Sequence, residues 1–203
     1  MIQTPDVTGL ILCGGAGARL GGRDKPLELL GGVPLVEHVR KRLRPQVTRI
    51  LISCNRNFDE YGRWNDTIVA DETANRGPLG GILAGMHLAE TDYLFICPGD
   101  APFLSTTLIQ RLTAALDREA VDLAMPRDGT RRQHLFALMR RALVGPLSDY
   151  LQSGGRSVYA FVDQQRAVVV DASLERDAFF NVNSPADLRA AEAILRRSAA
   201  RQP

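Results

Sequence analysis

The stretch "LILCGGAGARLGGRDKP", residues 10–26, decides the fold of this chain. It continues the apolar run Val7–Cys13 and then becomes a glycine-rich, mostly basic loop. A short apolar run that ends in glycines predicts a buried strand. Glycines let backbone N–H groups approach phosphate oxygens, and adjacent cations balance the phosphate charge. The stretch therefore predicts a first strand that leads directly into a phosphate-binding loop.

The rest of the chain alternates short apolar runs with helical patterns. Further strands are predicted at Arg49–Asn55, Asp66–Asp71, Asp92–Asp100 and Val121–Pro126, with helical patterns at Pro34–Leu43, Gly77–Glu90 and Ser105–Glu119, the last capped by Ser105. After residue 126 the pattern loosens into a strand, a helix, another strand and a final helix capped by Ser184. This alternation predicts an α/β fold: a single three-layer Rossmann-like domain, residues 1–203, whose mostly parallel sheet has helices on both faces.

Composition excludes several classes of protein. The chain has 203 residues, a net charge of +2 and 45% hydrophobic residues, which fits one globular domain rather than a nucleic-acid coat or a membrane protein. Its three cysteines form no CxxC pair, so we expect buried, reduced thiols rather than a zinc site or disulfides. The first residues lack a secretory pattern, and we expect a cytoplasmic protein without nucleic-acid or membrane partners.

Two familiar phosphate loops do not match the opening stretch. The dinucleotide pattern G-x-G-x-x-G begins at Gly15 but meets Leu20 where its last glycine should stand. The P-loop pattern requires serine or threonine after its lysine, and here Pro26 follows Lys25. A nicotinamide-binding oxidoreductase is therefore disfavoured.

The loop instead resembles the signature loop of nucleotidyltransferases of the sugar-nucleotide pyrophosphorylase type. Its "RLGGRDK" spelling, residues 19–25, is similar to that of the molybdenum cofactor guanylyltransferases. The motifs "CNR", "GPLGGILAGM", "CPGDAPFL" and "NVNSPADL" follow in that family's order, so the resemblance covers nearly the whole chain. It implies the nucleotide-diphospho-sugar transferase type of fold, with a nucleotide-binding half at about 7–126 and an acceptor half at about 127–198.

The resemblance also implies a reaction: transfer of GMP from GTP to the terminal phosphate of molybdenum-molybdopterin, with release of pyrophosphate. Such a reaction brings two anions together, so positioning and charge neutralisation are the protein's main tasks. Lys25 is implied to contact the nucleotide phosphates and Arg19 to hold the leaving pyrophosphate. Asp100, at a strand end, is implied to bind Mg²⁺ and nucleotide, which suits a metal whose other ligands are phosphate and water.

Several residues are implied to contact the nucleoside. The family's Asp71 equivalent binds the guanine nucleotide, and the sequence does not choose between hydrogen bonds to the base and to a ribose hydroxyl. Ser53 stands where better-known members have asparagine, which puts that contact in doubt, although the neighbouring Asn55 matches. The implied GTP-binding set is Leu12, Cys13, Gly14, Gly15, Lys25, Ser53, Asn55, Asp71 and Asp100.

The molybdopterin side rests on four residues. Asn181 and Asn183 carry amides that both donate and accept hydrogen bonds, as a pterin edge requires. Gly81 lets the chain pass close to a ligand. Arg156 is a candidate for the cofactor's phosphate or dithiolene face, as is the "RRQH" stretch, residues 131–134, although Leu135 replaces the family's usual proline. Protein partners implied by cofactor delivery are a molybdenum-insertion protein and apo-molybdoenzymes or their chaperones.

Other functions stay open at this point. A cytidylyltransferase acting on the same cofactor and a sugar-phosphate nucleotidyltransferase have the same fold. A non-catalytic module that carries molybdopterin is a third alternative, but the presence of both Lys25 and Asp100 favours an enzyme.

Overall fold

A computed structural model describes residues 6–14, 24–70 and 77–199 of the chain. The predicted site residues Gly15, Arg19 and Asp71 lie outside these ranges. In the described residues, the strands are β1 (Val7–Leu12), β2 (Leu29–Leu30), β3 (Val33–Pro34), β4 (Arg49–Ser53), β5 (Thr67–Val69), β6 (Tyr93–Pro98), β7 (Leu123–Arg127), β8 (Leu138–Arg140) and β9 (Ala167–Asp171).

Seven of these strands form one sheet in the order β5-β4-β1-β6-β8-β7-β9. β1 lies between β4 and β6 and runs parallel to both, so that Leu12 is in register with Ser53 on one side and Pro98 on the other. β8 is antiparallel to β6 and β7. The predicted α/β fold with a mostly parallel sheet is confirmed.

Helices cover both faces of the sheet. They are α1 (Leu35–Leu43), α2 (Phe58–Gly62), α3 (Pro78–Leu88), α4 (Leu108–Glu119), α5 (Val144–Gln152), α6 (Val158–Asp163) and α7 (Pro185–Ala199). One large core cluster includes buried side chains of β1, β4 and β6 together with α1 and α4, and a second includes the opposite faces of the same strands with α3 and α5. The sheet is therefore buried on both sides, as expected for parallel strands.

The opening of α4 differs from the prediction. The helix begins at Leu108 after Thr107, and no side chain caps it. The Ser105 hydroxyl instead accepts a 3.3 Å hydrogen bond from the Thr107 N–H within the preceding turn, so Ser105 is not the helix cap. The Ser184 cap of α7 is confirmed, because the Ser184 hydroxyl accepts from the Asp187 N–H at 3.1 Å.

The three cysteines are free and buried, as predicted. Burial raises the pKa values of the Cys13 and Cys97 thiols, which keeps them protonated at neutral pH. In the ranges that the structure describes, no helix is long and apolar enough to cross a membrane.

Candidate active site

The carboxyl ends of β1, β4 and β6 meet at one edge of the sheet, where sequence patterns place most candidate residues. Backbone hydrogen bonds join the three strand ends: the Cys13 N–H donates to the Ser53 carbonyl at 2.8 Å, and the Gly99 N–H donates to the Leu12 carbonyl at 2.9 Å. Leu12 and Cys13 are buried, whereas Gly14 is exposed. The chain thus reaches the surface at Gly14, at the start of the glycine-rich loop.

Gly99 has to be glycine because two other chain segments crowd around it. A Cβ added there would lie 2.7 Å from the Cys13 Sγ and 3.2 Å from the Pro26 Cβ. This close approach brings the residues that follow the loop against the corner after β6. Lys25 and Asp100, on either side of this contact, are therefore held near each other.

Lys25 connects two segments that lie far apart in the sequence. Its ammonium Nζ donates a 2.8 Å hydrogen bond to the Asn183 Oδ1, across 158 residues of sequence. The Val182 N–H donates to the Asp100 carbonyl at 2.9 Å, so the segment before α7 lies directly beside the Asp100 corner. The structure thus brings together Lys25, Asp100 and Asn183, which the sequence patterns had assigned to two different substrates.

The cap of α7 fixes the position of Asn183. The Asp187 carboxylate accepts from the Asn183 N–H at 3.0 Å and from the Ser184 hydroxyl at 2.8 Å. These hydrogen bonds lower the pKa of Asp187, the Ser184 hydroxyl contributing most. Asn183 therefore presents its amide from an ordered helix terminus rather than from a loose turn.

Asp100 lies in an electrostatically costly position. Burial raises the pKa of its carboxyl above the ordinary value, and the Lys25 ammonium opposes part of that rise. A half-desolvated carboxylate beside one cation favours a further positive charge nearby.

Asn181 shows a second unsatisfied group at this edge. Its Oδ1 is buried and has no hydrogen-bond partner among the described residues. Buried polar atoms are normally paired, since leaving one unpaired costs about 1–3 kcal/mol. Such an atom two residues from Asn183 is consistent with a group that accepts a hydrogen bond from a ligand.

Ser53 and Gly81 pack against each other. A Cβ added at Gly81, in the first turns of α3, would overlap the Ser53 Oγ and lie 3.2 Å from the Ser53 Cβ. Both residues are buried. The glycine therefore makes room for the side chain at the end of β4, which gives each residue a packing role.

Asn55 and Arg156 lie at the surface. The Arg156 guanidinium donates to the carbonyls of Leu151 and Gly155, at 3.1 and 2.6 Å, within the connection from α5 to α6. Among the hydrogen bonds of the described residues, none joins Arg156 to Lys25, Asp100 or Asn183.

The "RRQH" stretch ends in a buried histidine. The His134 ring lies 4.0 Å, centroid to centroid, from the ring of the exposed Tyr159 in α6. Burial lowers the His134 pKa, which favours the neutral imidazole.

Sequence patterns missed a group of polar residues behind Lys25. The Asp24 carboxylate accepts a 2.7 Å hydrogen bond from the Asn57 side-chain amide and lies 3.6 Å from the Arg56 guanidinium. The buried Tyr61 has its pKa raised by burial and also by the nearby Cys13 and Asp24. The available signal was that Asp24 is the one acidic residue of a basic loop. Its partners come from the connection between β4 and α2, where Arg56 belongs to the "CNR" motif but Asn57 lies outside it.

The side chains present suit a metal that takes most of its ligands from substrate. Among the described residues, no group of three or more histidine, cysteine, aspartate or glutamate side chains is placed to hold a metal ion. Asp100 supplies one hard oxygen ligand, and Mg²⁺ commonly binds one or two carboxylates together with phosphates and water. A resident all-protein metal cage is not a feature of the described residues, whereas a site completed by a nucleotide fits them.

Comparisons with known proteins identify the family of this chain. Residues 9–168 match the family described as MobA-like NTP transferase domain. A molybdenum cofactor guanylyltransferase of Ralstonia nicotianae is 41% identical over 202 residues, covering 93% of this chain and 97% of that protein. One from Burkholderia ambifaria is 44% identical and covers 92% and 96%.

Solved structures share the fold. Molybdopterin-guanine dinucleotide biosynthesis protein A from Archaeoglobus fulgidus superposes with a TM-score of 0.77 at 22% identity, covering 94% of this chain and 99% of that one. A 4-diphosphocytidyl-2C-methyl-D-erythritol synthase from Anaerococcus prevotii gives a TM-score of 0.71 at 14% identity, covering 96% and 100%. With the family match over most of its length and full-length relatives above 40% identity, this chain belongs to the MobA-like NTP transferases, among the molybdenum cofactor guanylyltransferases.

Proposed function

We propose that this protein transfers GMP from GTP to the terminal phosphate of molybdenum-molybdopterin, giving molybdopterin guanine dinucleotide and pyrophosphate. The observation that supports the proposal is the Lys25–Asn183 hydrogen bond beside Asp100, because Lys25 belongs to the proposed nucleotide-binding half and Asn183 to the proposed acceptor half. A transferase that joins two phosphorylated substrates needs a cation at that boundary. The names of the full-length relatives support the same reaction.

In this reaction an acceptor phosphate oxygen attacks the α-phosphorus of GTP, and the bond to pyrophosphate breaks. Lys25 donates from its ammonium to a phosphate oxygen and lowers the repulsion between the two anions. Arg19, outside the described residues, is proposed to hold the leaving pyrophosphate.

Nucleotidyltransferases of this family generally use a divalent metal ion, and we propose Mg²⁺, held by Asp100. When bound, the metal supplies positive charge that neutralises the triphosphate. The raised pKa of Asp100 gives a chemical reason for this assignment, since the ionised carboxylate gains a partner that its buried position lacks.

The nucleoside is proposed to lie over the ends of β1, β4 and β5. Backbone groups at that edge suit base and ribose contacts because Gly14 is exposed and has no side chain to cover its own backbone. The proposed set is Leu12, Cys13, Gly14, Gly15, Ser53, Asn55 and Asp71, with Ser53 acting through its position against Gly81.

The pterin is proposed to lie over the acceptor half, residues 127–198, against Asn181 and Asn183. The buried, unpaired Asn181 Oδ1 would accept from a pterin N–H, and Asn183 would exchange its Lys25 contact for one with the acceptor. Gly81 and Arg156 remain candidates for the edges of this site. We propose delivery of the product in the cytoplasm, to apo-molybdoenzymes or their chaperones, with the substrate coming from a molybdenum-insertion protein.

The direct test incubates the protein with GTP, Mg²⁺ and molybdenum-loaded molybdopterin, and measures pyrophosphate and the dinucleotide cofactor. We expect both products in equal amounts, with no pyrophosphate when the acceptor is left out. Parallel reactions with CTP, UTP and ATP test the base. Preference for CTP would contradict the guanine assignment, and tight molybdopterin binding without pyrophosphate release from any triphosphate would identify a carrier module instead.

A further inference from the structure

The Asp24 side chain is buried. Its side chain is 5% exposed and accepts the 2.7 Å hydrogen bond from the Asn57 amide. Arg56 provides a counter-charge at 3.6 Å. A carboxylate in such a position is stable only while it is paired and hydrogen-bonded, so the end of the glycine-rich loop is tied firmly to the connection between β4 and α2.

Asn57 has an unfavourable backbone conformation that serves this tie. It precedes α2 with φ 54° and ψ 38°, the left-handed region, and its side chain makes no capping hydrogen bond to its own helix. Asparagine at a helix start ordinarily caps that helix. Here the side-chain amide nitrogen of Asn57 donates to Asp24, and the capping hydrogen bond to α2 is absent. Asn57 therefore makes a long-range contact but not the local one that would stabilise its helix.

Lys25 is thereby held from both sides. On one side the Asp24 carbonyl accepts from the Leu27 N–H at 2.9 Å and closes the short 3-10 turn of residues 25–27. On the other side Pro26 is buried against Gly99. The direction of the Lys25 side chain toward Asn183 and Asp100 depends on these two anchors, of which only Asp24 is polar.

We propose that Asp24 is a positioning residue for Lys25: the hydrogen bond that its carboxylate accepts from Asn57 fixes the turn that aims the lysine ammonium at the substrate phosphates. This inference rests on the proposed phosphoryl-transfer function but not on the identity of the base, because Asp24 acts on the phosphates only through Lys25. Asp24 itself touches no substrate in this assignment.

A double-mutant cycle tests the inference. Asp24→Ala and Lys25→Ala are compared singly and together, with kcat and KM for GTP measured for each. We expect Asp24→Ala to lower kcat/KM by about tenfold or more in the wild-type background but by less than about twofold in the Lys25→Ala background, since a positioning effect vanishes with the residue it positions. Equal factors in both backgrounds would overturn the proposal, because a general folding defect acts independently of Lys25.

Two further variants separate the hydrogen bond from the backbone conformation. Asn57→Gly tolerates the left-handed backbone conformation but lacks the side-chain amide. We expect Asn57→Gly to lose activity, as we expect of Asn57→Ala. Wild-type activity in Asn57→Gly would refute the role of the hydrogen bond. Asp24→Asn keeps an acceptor oxygen without the charge and should retain intermediate activity. It replaces Asp24→Ala in the cycle if Asp24→Ala does not fold.

Glu60→Gln serves as the matched control. Glu60 lines the same surface cleft as Asp24 but pairs with Arg63, and its replacement should leave kcat/KM unchanged. The wild-type protein is assayed first with each triphosphate. If the wild-type protein uses another triphosphate than GTP, the guanine assignment is wrong, and the double-mutant cycle is measured with that triphosphate. The base specificity and the positioning role of Asp24 are thus tested separately.

Discussion

Replacing Lys25 with methionine removes the ammonium that donates to Asn183 while keeping most of the side-chain volume. The wild-type ammonium donates to Asn183 Oδ1 at 2.8 Å and lies near Asp100. A hydrogen bond from a charged donor contributes roughly 1.5–3 kcal/mol, which corresponds to roughly a 10- to 150-fold loss in kcat/KM if the contact is made in the transition state.

The same substitution should hardly change stability. The Lys25–Asn183 hydrogen bond is exposed, and exposed charged contacts contribute about 0–1 kcal/mol. For a chain of this size, such a change shifts the Tm by less than about 4 °C. A large loss of activity with a small change in Tm would therefore identify Lys25 as part of the chemistry rather than of the fold.

The pH dependence gives a second, independent measurement. Lys25 opposes the rise that burial causes in the Asp100 pKa, so its removal should raise that pKa further. If the ionised Asp100 is required, the acid limb of the kcat/KM profile should move to higher pH in Lys25→Met, whereas Lys25→Arg should keep it in place. Pyrophosphate release, followed across the acid range for the three proteins, measures both effects. An unchanged rate together with an unmoved acid limb in Lys25→Met would refute the assignment.

Three further predictions concern the same edge of the sheet. Asp100→Asn should abolish pyrophosphate release yet raise the Tm at pH 7. Because the Asp100 carboxyl has a raised pKa in the folded protein, the stability of the wild-type protein falls as the pH rises above the ordinary aspartate pKa. The difference in Tm between the variant and the wild-type protein should therefore disappear in acid. Gly81→Ala should destabilise the protein by about 1–3 kcal/mol in chemical unfolding through overlap with Ser53 Oγ, and adding Ser53→Ala should recover part of that loss; no recovery would contradict the packing role of Ser53. Asn181→Ala should raise KM for molybdopterin with little change in KM for GTP, and an equal rise in both would argue against an acceptor-side role.

The sheet and its helices were largely predictable because buried parallel strands and amphipathic helices leave strong local patterns. The apolar face of α1 is an example: Leu35, Val36, Val39 and Leu43 are all buried, as their spacing predicts. Strand direction is not local information, however. The apolar run that contains β8 gives no sign that it enters the sheet antiparallel between β6 and β7, since its neighbours are fixed by the chain's overall path.

The site was predictable where a motif reports chemistry and unpredictable where tertiary contacts decide. Lys25 and Asn183 each belong to a motif, but their contact spans 158 residues and depends on how α7 returns to the edge after β9. The Asp24–Asn57 hydrogen bond has no motif on the Asn57 side at all. Asparagine before a helix ordinarily caps it, whereas Asn57 makes no capping hydrogen bond to α2.

Three departures from local stability rules lie at this edge of the sheet. Asp100 is a buried carboxyl with a raised pKa, the Asn181 Oδ1 is buried without a partner, and Asn57 adopts a left-handed backbone without capping its helix. Each is unfavourable for the isolated chain, and each lies beside Lys25 or along the segments that hold it. The proposed site for a triphosphate and an acceptor at this edge would give these three costs a functional reason. Substitutions that relieve these costs should therefore stabilise the protein while lowering its activity, in contrast to Gly81→Ala, which should destabilise it through packing.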